Sequence, residues 1–322
     1  MEEGCRTTLH NTFVFHPFFS PLRCSANPAK GLACDNVDEF EAVLHNGTIV
    51  TASATENADL WFALRGGGNQ FAIVTKFKLQ AHPAGIDGKI WGGTRAYSPG
   101  KRKELFTALA KFVRDYPDKK AAIIPTFEFG LPLNILNAVT GPVLFFFYDG
   151  PEPPKGVFDD FDAIKSISDN TKTGSYYDLT HIAGGAKMRG FGNSFREDTY
   201  QNLEPEQMSE FYETVWDKVS AQSFKAGLRL FDAHIIGFVP QPLSKRIAQA
   251  SRDQGGNALG LDPKHGDRIW IENNFLWATP GCSEKCPEYS REVSDDIKSY
   301  HKAKYANSTP TNYESGDLSY VK

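Results

Sequence analysis

The run Asn57 to Thr75, NADLWFALRGGGNQFAIVT, constrains the fold of this chain more than any other stretch. Asn57 and Asp59 suit the start of a short helix, where an Asx side chain caps free N–H groups and an acid meets the positive end of the dipole. Gly66 can take the left-handed conformation that closes such a helix, and Ala72 to Leu79 alternates as a strand. The spacing predicts helix, glycine loop and strand, in that order. That order matters chemically. Phosphate-cradling loops run strand, glycines, helix, so that phosphate meets a helix N-terminus. Here the glycines face the negative end of the helix, which argues against a nucleotide-triphosphate cradle. Three glycines in a row instead expose backbone that a chain segment or a flat ligand can approach closely.

Upstream, Val37 to Leu44 and Thr48 to Ala52 read as strands joined at Asn46-Gly47, a strong hairpin signal. Ala84 to Gly88 reads as a boundary. Beyond it, Lys89 to Tyr97 is a strand, and Pro99 to Arg114 a helix whose apolar face carries Leu105, Leu109, Phe112 and Val113. Ala121 to Phe129 and Val139 to Tyr148 follow as strands. Phe158, Phe161, Ile164 and Ile167 mark another helix, and Asp178 to Asn193 reads as loop. Met208, Phe211, Val215 and Val219 mark a third helix, followed by a strand over Leu228 to Val239. After Pro240-Gln241-Pro242 come a short helix to Arg252, a strand from Asp267 to Trp277, and a helix from Glu288 to His301. This sequence of elements implies an α+β fold in which an antiparallel sheet is covered by helices on one side. Met1 to Lys30 shows no sustained period.

With 322 residues, of which 40% are hydrophobic and 13% aromatic, the chain can bury a large core. A formal net charge of -4 gives no electrostatic footprint for nucleic acid or an anionic membrane, and favours a small molecule as partner. No apolar run approaches the ~18 residues of a membrane span. Met1-Glu2-Glu3 is acidic where a signal peptide is basic. Five cysteines are too few for a disulfide scaffold. Cys282 and Cys286 read as a surface loop holding two thiols or one local disulfide, with a metal site the lesser alternative and no metal expected.

Ala33-Cys34-Asp35-Asn36-Val37, the Asn46-Gly47-Thr48-Ile49-Val50 turn and the Arg65-Gly66-Gly67-Gly68-Asn69 loop stand in the order and spacing of one family. The chain resembles the fungal FAD-linked oxidoreductases related to berberine bridge enzyme, densely over Gly31 to Pro83 and more loosely to about Asn307. The resemblance implies an unmatched segment over 1–30, the C-terminal part of a PCMH-type FAD-binding domain over 31–86, and a substrate domain over 87–322. It implies FAD as cofactor, hydride transfer from a small secondary-metabolite intermediate, and oxygen as reoxidant. Asp35, Asn36 and Val37 resemble the turn near the flavin, and Gly67, Gly68, Ile73 and Val74 the segment whose backbone lines it. The family's flavin-linking histidine and pyrophosphate loop have no counterpart before Gly31, so the chain as written is expected not to retain FAD. The alternative expectation is a non-redox remnant that binds a small apolar molecule or a partner chain. Family members are often secreted; the residues themselves leave localisation open.

For the catalytic base, the family implies a Tyr or Glu on a sheet strand. Glu272, between Trp270 and Phe275, is the candidate, since apolar surroundings raise a carboxyl pKa; an outward-facing strand position is the competing expectation. His234 in its strand reads more readily as a satisfied structural residue than as catalytic. Arg189, Asn193 and Tyr200 are candidates for a substrate loop.

Overall fold

A computed structural model describes residues 30–130, 141–182, 192–230, 234–277 and 282–305. A first, three-stranded antiparallel sheet comprises β1 (Val37–Val43), β2 (Ile49–Ser53) and β3 (Ile73–Leu79) in the order β2-β1-β3. Val37, Phe40, Ala42 and Ala52 are buried with Leu64 of α1 (Ala58–Gly67), which packs against these strands. The opposite face carries Glu39, Glu41, Lys76 and Lys78, with an exposed apolar end where Ile49 (68%) and Ile73 (70%) flank Val43.

The second sheet has eight strands: β4 (Ile90–Ala96), β5 (Ala121–Gly130), β6 (Val143–Tyr148), β7 (Ser168–Asp169), β8 (Lys172–Gly174), β9 (Gly192–Gln201), β10 (His234–Leu243) and β11 (Arg268–Trp277). They run β7-β4-β6-β5-β10-β11-β9, with β8 also on β4. The helices are α2 (Arg102–Asp115), α3 (Asp159–Asp162), α4 (Tyr176–Ile182), α5 (Pro205–Leu230), α6 (Lys245–Asp253) and α7 (Cys282–Lys304).

Alternation divides the sheet into two faces. Ile269, Ile271, Phe275 and Trp277 of β11 join Ile236 and Phe238 of β10 in the core beneath α2, α5 and α7. Phe106 of α2 anchors it, 4.4 Å from the Phe127 ring, 5.5 Å from Tyr212 and 5.9 Å from Phe238. Burying each such ring contributes on the order of 1.5–3 kcal/mol. The intervening residues of β11, Glu272 and Asn274 among them, lie on the other face. A smaller apolar group of Ile90, Ile124, Phe145, Phe147, Leu179 and Val239 sits there.

The α+β class, with helices massed on one sheet face, is as the sequence implies. Several local readings are corrected. Asn57 does not cap α1: it is itself left-handed, with φ 47°, and its side-chain amide donates to the Thr51 carbonyl. Gly66 does close the helix, at φ 99°. The helix marked by Phe158 to Ile167 is a single turn, because the Ile167 N–H donates to the Ala96 carbonyl and draws the chain into the sheet. The stretch read as loop from Asp178 begins inside α4, which opens on a Ser175–Asp178 reciprocal cap. The Leu228 strand starts later, at His234, since α5 continues to Leu230. Pro240 and Pro242 lie within β10, where β5 has stopped pairing. Nitrogens two residues apart point to the same side, so both prolines can face that unpaired edge. The last helix starts at Cys282, six residues earlier than read, with Pro287 inside it.

Candidate functional site

The sheet face opposite α2, α5 and α7 gathers the chemistry. Glu272 pairs in register with Val239 on one side and Glu197 on the other. Strand alternation therefore puts all three side chains on one face, and the two glutamates are 2% and 4% exposed. Asn274, two residues along β11, shares that face and is buried. Its Oδ1 accepts the Gly237 N–H at 3.1 Å, and its Nδ2 donates to Glu272 Oε1 at 3.4 Å. Gln241 Nε2 donates to Glu272 Oε2 at 3.3 Å. Glu128 of β5 pairs with Gly237, which pairs on its other side with Asn274.

Burial drives the Glu272 carboxyl well above the usual carboxylate range, the Glu197 charge drives it further, and the Asn274 amide pulls back. Burial also raises Glu128. A carboxyl with a raised pKa, set beside an apolar wall, holds its proton to higher pH than a solvated one and, once ionised, is the stronger proton acceptor.

The three-stranded sheet holds the other sequence candidates. Asp35 and Asn36 are buried polar residues and Val37 is buried in the small core. The Asp35 carboxylate accepts from Leu32 N–H at 2.7 Å, Ser251 Oγ at 3.0 Å and Asn257 Nδ2 at 2.7 Å. The Asn36 amide donates to the Lys30 and Leu32 carbonyls, and its oxygen meets His82 Nε2 at 2.7 Å. Gly67 is half-buried, Gly68 is exposed with open space where a Cβ would stand, Ile73 is exposed and Val74 half-buried.

The glycine segment thus presents accessible backbone beside exposed apolar side chains, which suits the edge of a flat ring. It does not suit a pyrophosphate. The motif arginine, Arg65, donates Nε to the Cys34 carbonyl, Nη1 to the Gln254 carbonyl and Nη2 to the Asp35 carbonyl, and stacks on Trp61 at 4.1 Å. Its guanidinium is spent inside the protein.

Arg189 lies outside the described residues, as does the His234 side chain. Asn193 and Tyr200 are brought apart by strand parity. Tyr200 turns to the helix face, 4.7 Å from the His301 ring and 5.2 Å from Phe211. Cys282 and Cys286 form a disulfide buried in the first turns of α7, where a surface loop was expected. Among the described residues, no group of His, Cys, Asp and Glu is arranged to hold a metal, and no helix is long and apolar enough to cross a membrane.

Sequence reading missed Glu128, Glu197, Gln241 and Asn274. For Asn274 a signal existed, since residues two apart in a strand share a face. Glu197 sits in the polar run Asn193-Ser194-Phe195-Arg196-Glu197-Asp198, which carries no strand pattern of its own.

No protein-family model matches the chain. It is 32% identical over 252 residues to an uncharacterised FAD-linked oxidoreductase of Arthroderma benhamiae, covering 77% of this chain and 47% of that protein. It is 26% identical over 286 residues to the FAD-dependent monooxygenase drtC of Aspergillus calidoustus, covering 84% and 50%. The chain spans about half the length of the curated relatives it matches. Among solved structures, the berberine-bridge-like protein 28 of Arabidopsis thaliana aligns with a TM-score of 0.60 at 15% identity, over 90% of this chain and 56% of that one. The glucooligosaccharide oxidase of Acremonium strictum aligns at 0.57 and 18% identity, over 83% and 55%. The resemblance to fungal FAD-linked oxidoreductases read from the motifs therefore extends to most of the chain, and its fold is shared with a little over half of each of these solved structures.

Proposed function

We propose that this chain, which shares its fold with the berberine-bridge-like flavoproteins, works as an FAD-linked oxidoreductase on a small secondary-metabolite intermediate, with molecular oxygen as terminal oxidant. A bound flavin supplies the hydride acceptor. The chain's own residues do the rest. Glu272 is the proton acceptor, at Oε2, for the substrate group that loses its proton as oxidation proceeds. Its raised pKa makes it, once ionised, a stronger base than a solvated carboxylate. Val239, Ile124, Phe145 and Phe147 shield this face from water and offer apolar surface to a planar substrate. Gly67, Gly68, Ile73 and Val74 would line one edge of the bound cofactor through their backbone. Asp35, Asn36 and Val37 hold the turn behind that edge in place, their side chains being committed internally.

The observation that carries this reading is the burial of Glu272 opposite Glu197, with Asn274 and Gln241 on its oxygens and the Val239 apolar group beside it. The test is peroxide release by the chain in excess free FAD, against a panel of fungal aromatic and polyketide-like alcohols, for the parent and for Glu272→Gln. The amide keeps shape and removes the base, so turnover should fall by about 10²–10⁴-fold. Equal turnover in the two proteins overturns the assignment of Glu272.

A further inference from the structure

We infer that Asn274 is a positioning residue that fixes which oxygen of Glu272 carries the proton: Oε1 is held as an acceptor, and Oε2 is the oxygen that titrates. The inference rests on the role proposed for Glu272 and goes one step beyond it.

The argument is one of donor and acceptor accounting. A side-chain amide has one acceptor end and one donor end, and a backbone N–H only donates. Asn274 is 3.1 Å from the Gly237 nitrogen, so the atom it turns there must be the carbonyl Oδ1. Its orientation is settled by that contact. The NH2 end then faces Glu272 Oε1 at 3.4 Å and can only donate. Oε1 therefore accepts, and because a carbonyl oxygen is a better acceptor than a hydroxyl oxygen, a protonated Glu272 places its hydrogen on Oε2. The group facing Oε2 is Gln241 Nε2, at 3.3 Å. Gln241 carries both a donor and an acceptor end, so it can serve either protonation state by turning its amide, whereas Asn274 cannot.

The backbone enforces the arrangement. A Cβ on Gly237 would stand 2.7 Å from Asn274 Oδ1 and 2.9 Å from Nδ2, so the amide keeps its seat only because residue 237 is glycine. Among the described residues, the charged groups on the face of Glu272 are Glu197, directly across on β9, and Glu128 on β5, which flanks Gly237 from the far side; Arg268 stands four residues back along β11. None of these reaches Glu272 through a fixed amide.

The protonated-carboxyl infrared band of Glu272, identified by its loss in Glu272→Gln, is titrated in the full chain, in Asn274→Leu and in Gly237→Ala. Leucine removes the donor and alanine displaces it, so in both variants the band should persist to higher pH than in the parent. In the parent itself, the Asn274 side-chain amide and Gly237 N–H resonances should titrate with the same midpoint as the band. An unchanged midpoint in either variant that folds, or an Asn274 amide that ignores the titration, overturns the inference. Its failure is separable from failure of the functional reading, because the band belongs to Glu272 whether or not Glu272→Gln impairs turnover.

Discussion

Arg65 Nη2 stands 3.5 Å from Asp35 Oδ1, and neither side chain is exposed to solvent. The pair joins the Asp-Asn-Val turn to the glycine loop, and both partners reach on to the last turn of α6, through Ser251, and the segment after it, through Gln254 and Asn257. Two motifs that look like cofactor signatures in sequence therefore fasten the three-stranded sheet to the main body. Burial lowers the pKa of Arg65, and the Asp35 charge offsets it.

Asp35→Ala should be strongly destabilising. It strands a buried guanidinium and leaves Ser251 and Asn257 without their acceptor, a loss of about 3–5 kcal/mol for a broken buried pair. Urea denaturation of the parent and the variant measures it. A cost under about 1 kcal/mol, the range of surface pairs, would show that solvent reaches the site.

Glu272 should make the protein less stable as pH rises. Its folded pKa lies above its ordinary value of 4.5, so its stabilising share is complete below that value and is lost as pH climbs through the raised pKa. Glu272→Gln deletes this component. Denaturant midpoints at about pH 5 and about pH 8 should show the variant gaining on the parent toward the higher pH. A constant difference between the two curves would contradict the raised pKa.

His301 acts in the opposite sense. Burial against Tyr200 and Phe211 holds its pKa down to about 4, from an ordinary 6.5, with the Arg268 guanidinium adding to the effect. Its contribution is complete above 6.5 and is lost as pH falls through about 4. His301→Phe should flatten the acid limb of the stability curve without altering the alkaline limb. An unaltered acid limb would show that the imidazole charges freely in the folded state.

How much of this could be read from sequence depended on where the signal lay. The Asn46-Gly47 hairpin, the α2 stripe and the strand ending at Trp277 were legible because each carries its own period or turn chemistry. β9 was not, because its residues are polar on both faces. Asp198 is ion-paired to Lys298, and Glu197 faces a buried carboxyl, so its strand state comes from pairing with β11. The prolines of β10 misled for a related reason: they punctuate only where a partner strand is needed. Glu272 was visible as a carboxylate among apolar neighbours. Its burial was not, because that depends on Val239 and Glu197, which lie far from it in sequence and meet it only through the register.

The chain of 322 residues should lose FAD on purification. Retaining a dinucleotide through dilution requires donors for the pyrophosphate, and a charge-assisted donor is the strong kind. The arginine best placed for this, in the glycine loop, has Nε, Nη1 and Nη2 all committed to backbone carbonyls, and freeing it would strand Asp35. The loop's own field is unfavourable as well, since the glycines follow the C-terminal end of α1. What remains is accessible backbone at Gly67 and Gly68 beside exposed Phe71 and Ile73, enough for reversible contact with a flat ring in excess free cofactor. The measurement is an absorbance spectrum before and after gel filtration. Colourless protein that acquires flavin absorbance only while free FAD is present is the expected result. A stoichiometric flavin band that survives the column would mean that other groups of this chain grip the pyrophosphate, and that the internal commitment of Arg65 is no obstacle to holding it.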